Sequence, residues 1–226
     1  MKAWPELYWD PAMRAHLILL EIVAQSNWKD IADNVQPHDD SQTQAEINDL
    51  IDKVKLRPER REEILEQANV SMVPTFTRSL MISPVSHPYT MQLIQIAIVV
   101  GRTMVMYAKQ RFLRPRPSQL APSIRPMFEV PGHPSYPSGH SMQAHLIALL
   151  LAEAGAGSYN CGLQPIAGRI AENREIAGVH YPSDSLTGQR FAEALVGEFG
   201  TSSLFSNVLE RAKREWAASA ECSSAT

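Results

Sequence analysis

Cysteine is nearly missing from this chain. Cys161 and Cys222 are the only two in 226 residues, and they lie far apart, outside the spacing of a metal knuckle or a redox pair. Nothing suggests a small domain stapled by disulfides. Charge of one sign is also scarce: the formal net charge is −3, so no basic excess draws the chain to nucleic acid. Long apolar runs are lacking as well. Leu146 to Ala152 is far too short to cross a bilayer, and the greasier stretch from Leu93 to Val105 is interrupted by Gln95 and Arg102. The N-terminal MKAWPELYWDPAMRAHLILL places acids, prolines and an arginine before a short apolar patch. It lacks the ordered basic, apolar and small-residue regions of a secretory leader. These absences predict a soluble, cytoplasmic protein without a membrane-spanning segment, unless a leader precedes the sequence and exports it.

What is present is helical spacing around one core. With 44% apolar residues, the chain can fill a single domain spanning 1–226. Asp10-Pro11 is a cap and first-turn pair for a helix to about Gln25. Ser41 is placed to cap a second helix to Lys55, and Pro58 opens a third to about Asn69. Charge dominates these two, so residues 1–80 read as peripheral covers. Residues 88–200 read as a helical core carrying loops: a helix from Pro88 to Lys109, a proline-rich passage, then helices from Ser138 to Ala154, over 165–176 and from Pro182. A last helix fits Ser202 to Ala218. The expected fold class is all-α, a helical bundle whose inter-helix loops hold the polar chemistry.

Three stretches stand out. In KQRFLRPRP, Lys109, Arg111, Arg114 and Arg116 fall within eight residues of a mildly acidic chain. They read as a solvated loop, or as an inward-pointing oxyanion clamp. In PSYPSGHS, Pro137 disfavours helical geometry at Tyr136, so Ser138 can cap the next helix. Gly139 would then offer an unobstructed N–H in a first turn that already favours anions. His140 sits on that turn, either beside a bound anion or bonded to a carbonyl as a structural histidine. In NREIAGVHYPSDS, Asp184 follows His180 by four residues. If the first turn of a helix intervenes, its carboxylate reaches back to Nδ1, fixes the tautomer and leaves Nε2 free. A structural hydrogen bond is the plainer alternative. Together the stretches supply a nucleophile, an acid and a charge clamp. His140, His180 and Asp184 could instead be metal ligands, but the surrounding arginines would repel a cation.

These residues resemble the type 2 phosphatidic acid phosphatase and vanadium haloperoxidase superfamily. Its motifs appear in order: Lys, six residues, Arg-Pro at Lys109 to Pro117; Pro-Ser-Gly-His at Pro137 to His140; and Arg, five residues, His, three residues, Asp at Arg174, His180 and Asp184. Asn173 departs from the pattern, which has serine there. The resemblance implies that Lys109, Arg116 and Arg174 clamp an oxyanion, with Ser138 and the Gly139 N–H as further donors. It implies that His180 attacks phosphorus, Asp184 orients it and His140 protonates the leaving oxygen, with no metal or cofactor. Arg111 and Arg114 have no role in the pattern and read as rim charges. In a vanadate enzyme the same cage would hold vanadate as cofactor, with His180 bonded to the metal. His133 pulls toward that reading, because the algal bromoperoxidases have histidine there. Met106 pulls away, because the fungal chloroperoxidase has tryptophan at that position. A phosphomonoester hydrolase is the favoured expectation; a bromide-type haloperoxidase and an inactive relative are the alternatives. The implied partner is a phosphorylated small molecule or a lipid headgroup, and a homodimer is compatible with the general frequency of twofold assemblies.

Overall fold

The structure, a computed structural model, describes residues 9–69, 71–158 and 162–224. Cys161 and the side chain of Cys222 lie outside what is described. The described residues form eleven α-helices: α1 (Pro11–Gln25), α2 (Trp28–Asp33), α3 (Thr43–Lys53), α4 (Arg57–Asn69), α5 (Val73–Leu80), α6 (Pro88–Phe112), α7 (Pro117–Leu120), α8 (Gly139–Glu153), α9 (Leu163–Ile176), α10 (Pro182–Leu195) and α11 (Ser203–Ser224). The all-α bundle expected from periodicity is what the chain forms.

Local chemistry sets most of the helix starts. The Asp10 carboxylate accepts from Met13 N at 2.9 Å, closing the first turn of α1. Pro182 occupies the first turn of α10, where its missing N–H costs nothing. Ser41, expected as a cap, is not one. Its N–H and hydroxyl both donate to the Asp39 carboxylate, at 2.9 and 2.7 Å, within a 3-10 turn over 40–42 that precedes α3. A charged acceptor beside the serine outcompetes the serine as a cap.

The core is built around α8, which packs against α6, α9 and α10. Buried on the core side of α6 are Leu93, Ile94, Ala97, Val100, Met104 and Ala108, facing α1, α8 and α11. The Glu215 carboxylate, from α11, accepts the Tyr89 and Thr90 amides at 2.7 and 2.9 Å, so an acid covers the start of α6. The charged helices α3 and α4 lie over α9. Arg57 locks this layer to the loops by donating to the carbonyls of Ile176, Ile124 and Arg125 at 2.8–3.0 Å.

One expectation is corrected here. At 25 residues, α6 is long and apolar enough to cross a membrane by length and composition. Gln95 and Arg102 break the apolar run, yet a stretch of the helix long enough to span stays apolar on average. The absence of a spanning-length segment therefore does not hold.

Two glycines fix how the loops meet the core. Gly178 turns the chain at φ +80° between α9 and His180, and a Cβ there would lie 2.6 Å from Ile124 Cγ2. Gly188 lets α10 press against the start of α8, where a Cβ would fall 2.6 Å from the Ser138 carbonyl oxygen.

Candidate active site

The two helix starts dock directly: Ser138 N donates to the Asp184 carbonyl at 2.9 Å. That bond, with the close approach at Gly188, brings the PSGH turn beside the His180 loop. Lys109 enters from the last turn of α6. It is 1% exposed, and its Nζ donates to the carbonyls of Pro134 and Ser135, each at 2.7 Å. Arg116, the residue before α7, is equally buried. Its Nη1 donates to the Val179 carbonyl at 2.6 Å and lies 3.0 Å from His180 Nε2. Its Nη2 meets His133 Nδ1 at 3.0 Å and the His133 carbonyl at 3.1 Å. Arg174, near the end of α9, stacks over Phe128 with its guanidinium carbon 4.6 Å from the ring centre. Its Nε and Nη1 are buried with no hydrogen-bond partner among the described residues.

The His180 pair has the predicted form. Nδ1 lies 2.9 Å from Asp184 Oδ2, with the first turn of α10 between them. Asp184 is itself held by Ser135 Oγ, by Tyr181 N at 3.1 Å and by Arg114 Nη1 at 2.8 Å. The Gln67 backbone of α4 lies beside the His140 ring and favours its charged form, against the larger effect of burial. Ser138 caps α8, accepting from Ser141 N at 3.4 Å. Its hydroxyl is thus turned to the helix end, as the capping reading expects.

Lys109, His133, Gly139, His140, Arg174 and His180 line one cavity of about 360 Å³, completed by Arg102, Val105, Met106, Pro131 and Gln143. Ser138, Arg116 and Asp184 are not in that lining; Arg116 and Asp184 act on it through their contacts with His180. Burial governs the site's electrostatics. It pushes the Lys109 amine down to about 7, helped by Arg116, and Arg174 down to about 9, again with Arg116 adding repulsion. His180 and His140 are held well below the usual histidine range by desolvation first and the neighbouring cations second. Two buried cationic side chains, Lys109 and Arg174, thus face one space with Arg116 just behind it on His180, and among the described residues none of the three forms an ion pair with a carboxylate. Such an arrangement is costly unless an anion enters. Among the described residues no group of three or more His, Cys, Asp or Glu side chains is placed to hold a metal ion.

Sequence reasoning missed a supporting layer. Arg114 is no rim charge: it is 2% exposed, pairs with both Asp184 at 2.8 Å and Glu46 at 2.6 Å, and stacks on Tyr181. Glu46 also accepts from Ser183 N at 2.7 Å. Its position on α3 gave no local signal, because the partners are 68 and 137 residues away. Arg111 does sit at the periphery, donating to the Ala32 carbonyl at 2.9 Å and facing Asp33. Asn173, the departure from the motif, donates to Gln67 and accepts from Arg60, each at 3.1 Å, tying α9 to α4.

Comparison with known proteins agrees with this geometry. The PAP2 superfamily matches residues 89–199, the stretch that contains all three motifs. No curated protein sequence matches the chain. A solved structure with a similar fold is the first transmembrane PAP2-type phosphatidylglycerolphosphate phosphatase from Bacillus subtilis. It is 19% identical, with a TM-score of 0.53 over 84% of this chain and 94% of that one. This fold thus occurs in a protein that spans a membrane. Together with the length of α6, that overturns the expectation of a soluble cytoplasmic protein lacking a spanning segment. Three ordered motifs, the helical bundle and the superfamily match converge: residues 89–199 belong to the PAP2 superfamily.

Proposed function

We propose that the chain is a phosphomonoester hydrolase acting through a phosphohistidine on His180. The observation that carries this reading is the unpaired cationic cage: Arg174 presents buried N–H groups with no partner among the described residues, in a cavity shared with Lys109 and three histidines. A tetrahedral oxyanion supplies the missing acceptors and the missing negative charge together.

The chemistry follows from the hydrogen bonds. With Nδ1–H held by Asp184, His180 presents its Nε2 lone pair to the cavity, and its lowered basicity keeps that nitrogen unprotonated at neutral pH. Before substrate enters, an Arg116 N–H occupies this lone pair; an incoming phosphate draws the guanidinium to its own oxygens and frees the nucleophile. Nε2 then forms a bond to phosphorus as the P–O bond to the alcohol breaks. The phosphate monoanion's acidic proton passes to His140, near the start of α8, as the substrate binds, and His140 gives that proton to the departing oxygen. Water next attacks phosphorus, His140 takes a proton from it, and the P–N bond breaks to release phosphate and restore His180. Lys109, Arg116, Arg174 and the Gly139 N–H stabilise the equatorial oxygens in both transition states.

The haloperoxidase alternative leaned on His133. That imidazole lies 3.0 Å from Arg116 and 3.2 Å from the Pro134 carbonyl, an engagement that a role in holding the clamp explains. The test is acid-quench trapping with a labelled aryl phosphate. Wild type should yield an acid-labile phosphoenzyme that His180→Ala does not form. Undiminished turnover in purified His180→Ala would refute the assignment.

A further inference from the structure

We propose that Arg102 forms a second anion subsite at the mouth of the cavity, so that the preferred substrate is a phosphomonoester bearing a further anionic group, a carboxylate or a phosphodiester, beyond a short apolar spacer. This rests on the reading of the cage as a phosphoryl site.

The geometry begins on α6. Arg102 and Lys109 are seven residues apart on one helix and line the same cavity. Seven residues are close to two turns, so the two positions share a face about 10 Å apart along the axis. Lys109 is buried at the floor, whereas Arg102 is exposed. Among the described residues the Arg102 guanidinium has no hydrogen-bond or ion-pair partner. Between the two cations the wall is apolar, formed by Val105, Met106 and Pro131. Gln143, on the facing helix α8, already donates to the Ile98 carbonyl at 2.9 Å. The cavity therefore offers cations at its floor and mouth with apolar surface between. A substrate that meets all of it carries an anion at each end. A planar five-donor fork suits either a carboxylate or a phosphodiester.

The experiment compares kcat/KM for ω-carboxyalkyl phosphates and methyl-phosphodiester-capped alkyl phosphates against n-alkyl phosphates of equal length. Wild type should favour one or both anion-tailed series on the order of fivefold, with an optimum at intermediate chain length. The two series distinguish which tail the fork prefers. Arg102→Ala should bring the ratio to about one, Arg102→Glu should invert it, and Arg102→Lys should retain part of it. A wild-type ratio near one, a ratio that survives Arg102→Ala, or a preference that ignores chain length overturns the subsite; the last would mean only long-range steering. Matched alkylphosphonates with and without an ω-carboxylate, measured by calorimetry, separate the two readings. If no phosphomonoester is turned over but the affinity ratio persists and needs Arg102, the hydrolase reading fails and the subsite stands. If no phosphonate binds, both fail.

Discussion

At the scale of single residues, Lys109 ties oxyanion affinity to pH. Burial and Arg116 hold its amine at about 7 in the empty cage, against an ordinary lysine value of 10.5. An anion beside it favours the charged form and raises that value. Above about pH 7 the site must therefore take up a proton to bind, and affinity for phosphate or vanadate should fall as pH rises through that value. Calorimetry at pH 7.5 in two buffers of different ionisation enthalpy should show proton uptake, and Lys109→Met should abolish it. Arg114 makes a second prediction. Its guanidinium sits between two buried carboxylates, so Arg114→Ala should cost about 3–5 kcal/mol in urea unfolding, because Asp184 and Glu46 are left unpaired. Lys109, Arg116, Arg174 and His180 were legible because each stands at a fixed spacing from a proline or another site residue. Arg114 was not. It lies two residues from Arg116, and spacing alone does not say that one fork reaches the His180 nitrogen while the other reaches beneath the aspartate.

At the scale of helices, α4 supports the site from behind, and nothing in its charged sequence announces that. The Gln67 backbone lies beside His140, and the Gln67 side chain is held by Asn173. Asn173→Ser restores the residue of the superfamily pattern, yet its shorter side chain reaches neither Gln67 nor Arg60. The expected outcome is a loss of about 1–3 kcal/mol in chemical denaturation, the cost of leaving buried polar groups unpaired. It should come with slower leaving-group departure, seen as a larger kcat loss for alkyl than for aryl phosphates. An unchanged ratio would separate Asn173 from His140. The helices with strong periodicity, or with proline at the first turn, were readable: α1, α4 and α10 begin within a residue of where cap chemistry puts them. The short α2 and α5 were not anticipated, since six and eight residues carry too few turns to display a period and are held by packing. The reach of α6 was misjudged for a related reason. An uninterrupted apolar run is a stricter condition than a helix needs, because polar residues can take one face while the rest stays apolar.

At the scale of the whole molecule, the bundle holds a site that weakens it. Among the described residues, Lys109, Arg116 and Arg174 are buried together without neutralising carboxylates of their own, and Arg174 leaves N–H groups unbonded. Marginal stability makes a single uncompensated charge matter, and sites built for charged ligands commonly trade stability for function. Arg174→Met tests this balance because a flexible apolar side chain can fill the space beside Phe128 without bringing charge. The variant should be more stable than wild type in anion-free buffer, since replacing a buried ion with an apolar group of similar volume is neutral or stabilising. Wild type should then gain about 2.7 kcal/mol from phosphate or vanadate at a hundredfold excess over its Kd, by mass action. The variant should gain far less, so the order of the two midpoints reverses on adding anion. Urea unfolding of both proteins, with and without vanadate, reads all four values. If Arg174→Met is destabilised in every condition and still responds fully to anion, Arg174 is a packing residue and the unpaired charge is not what the cavity is built around.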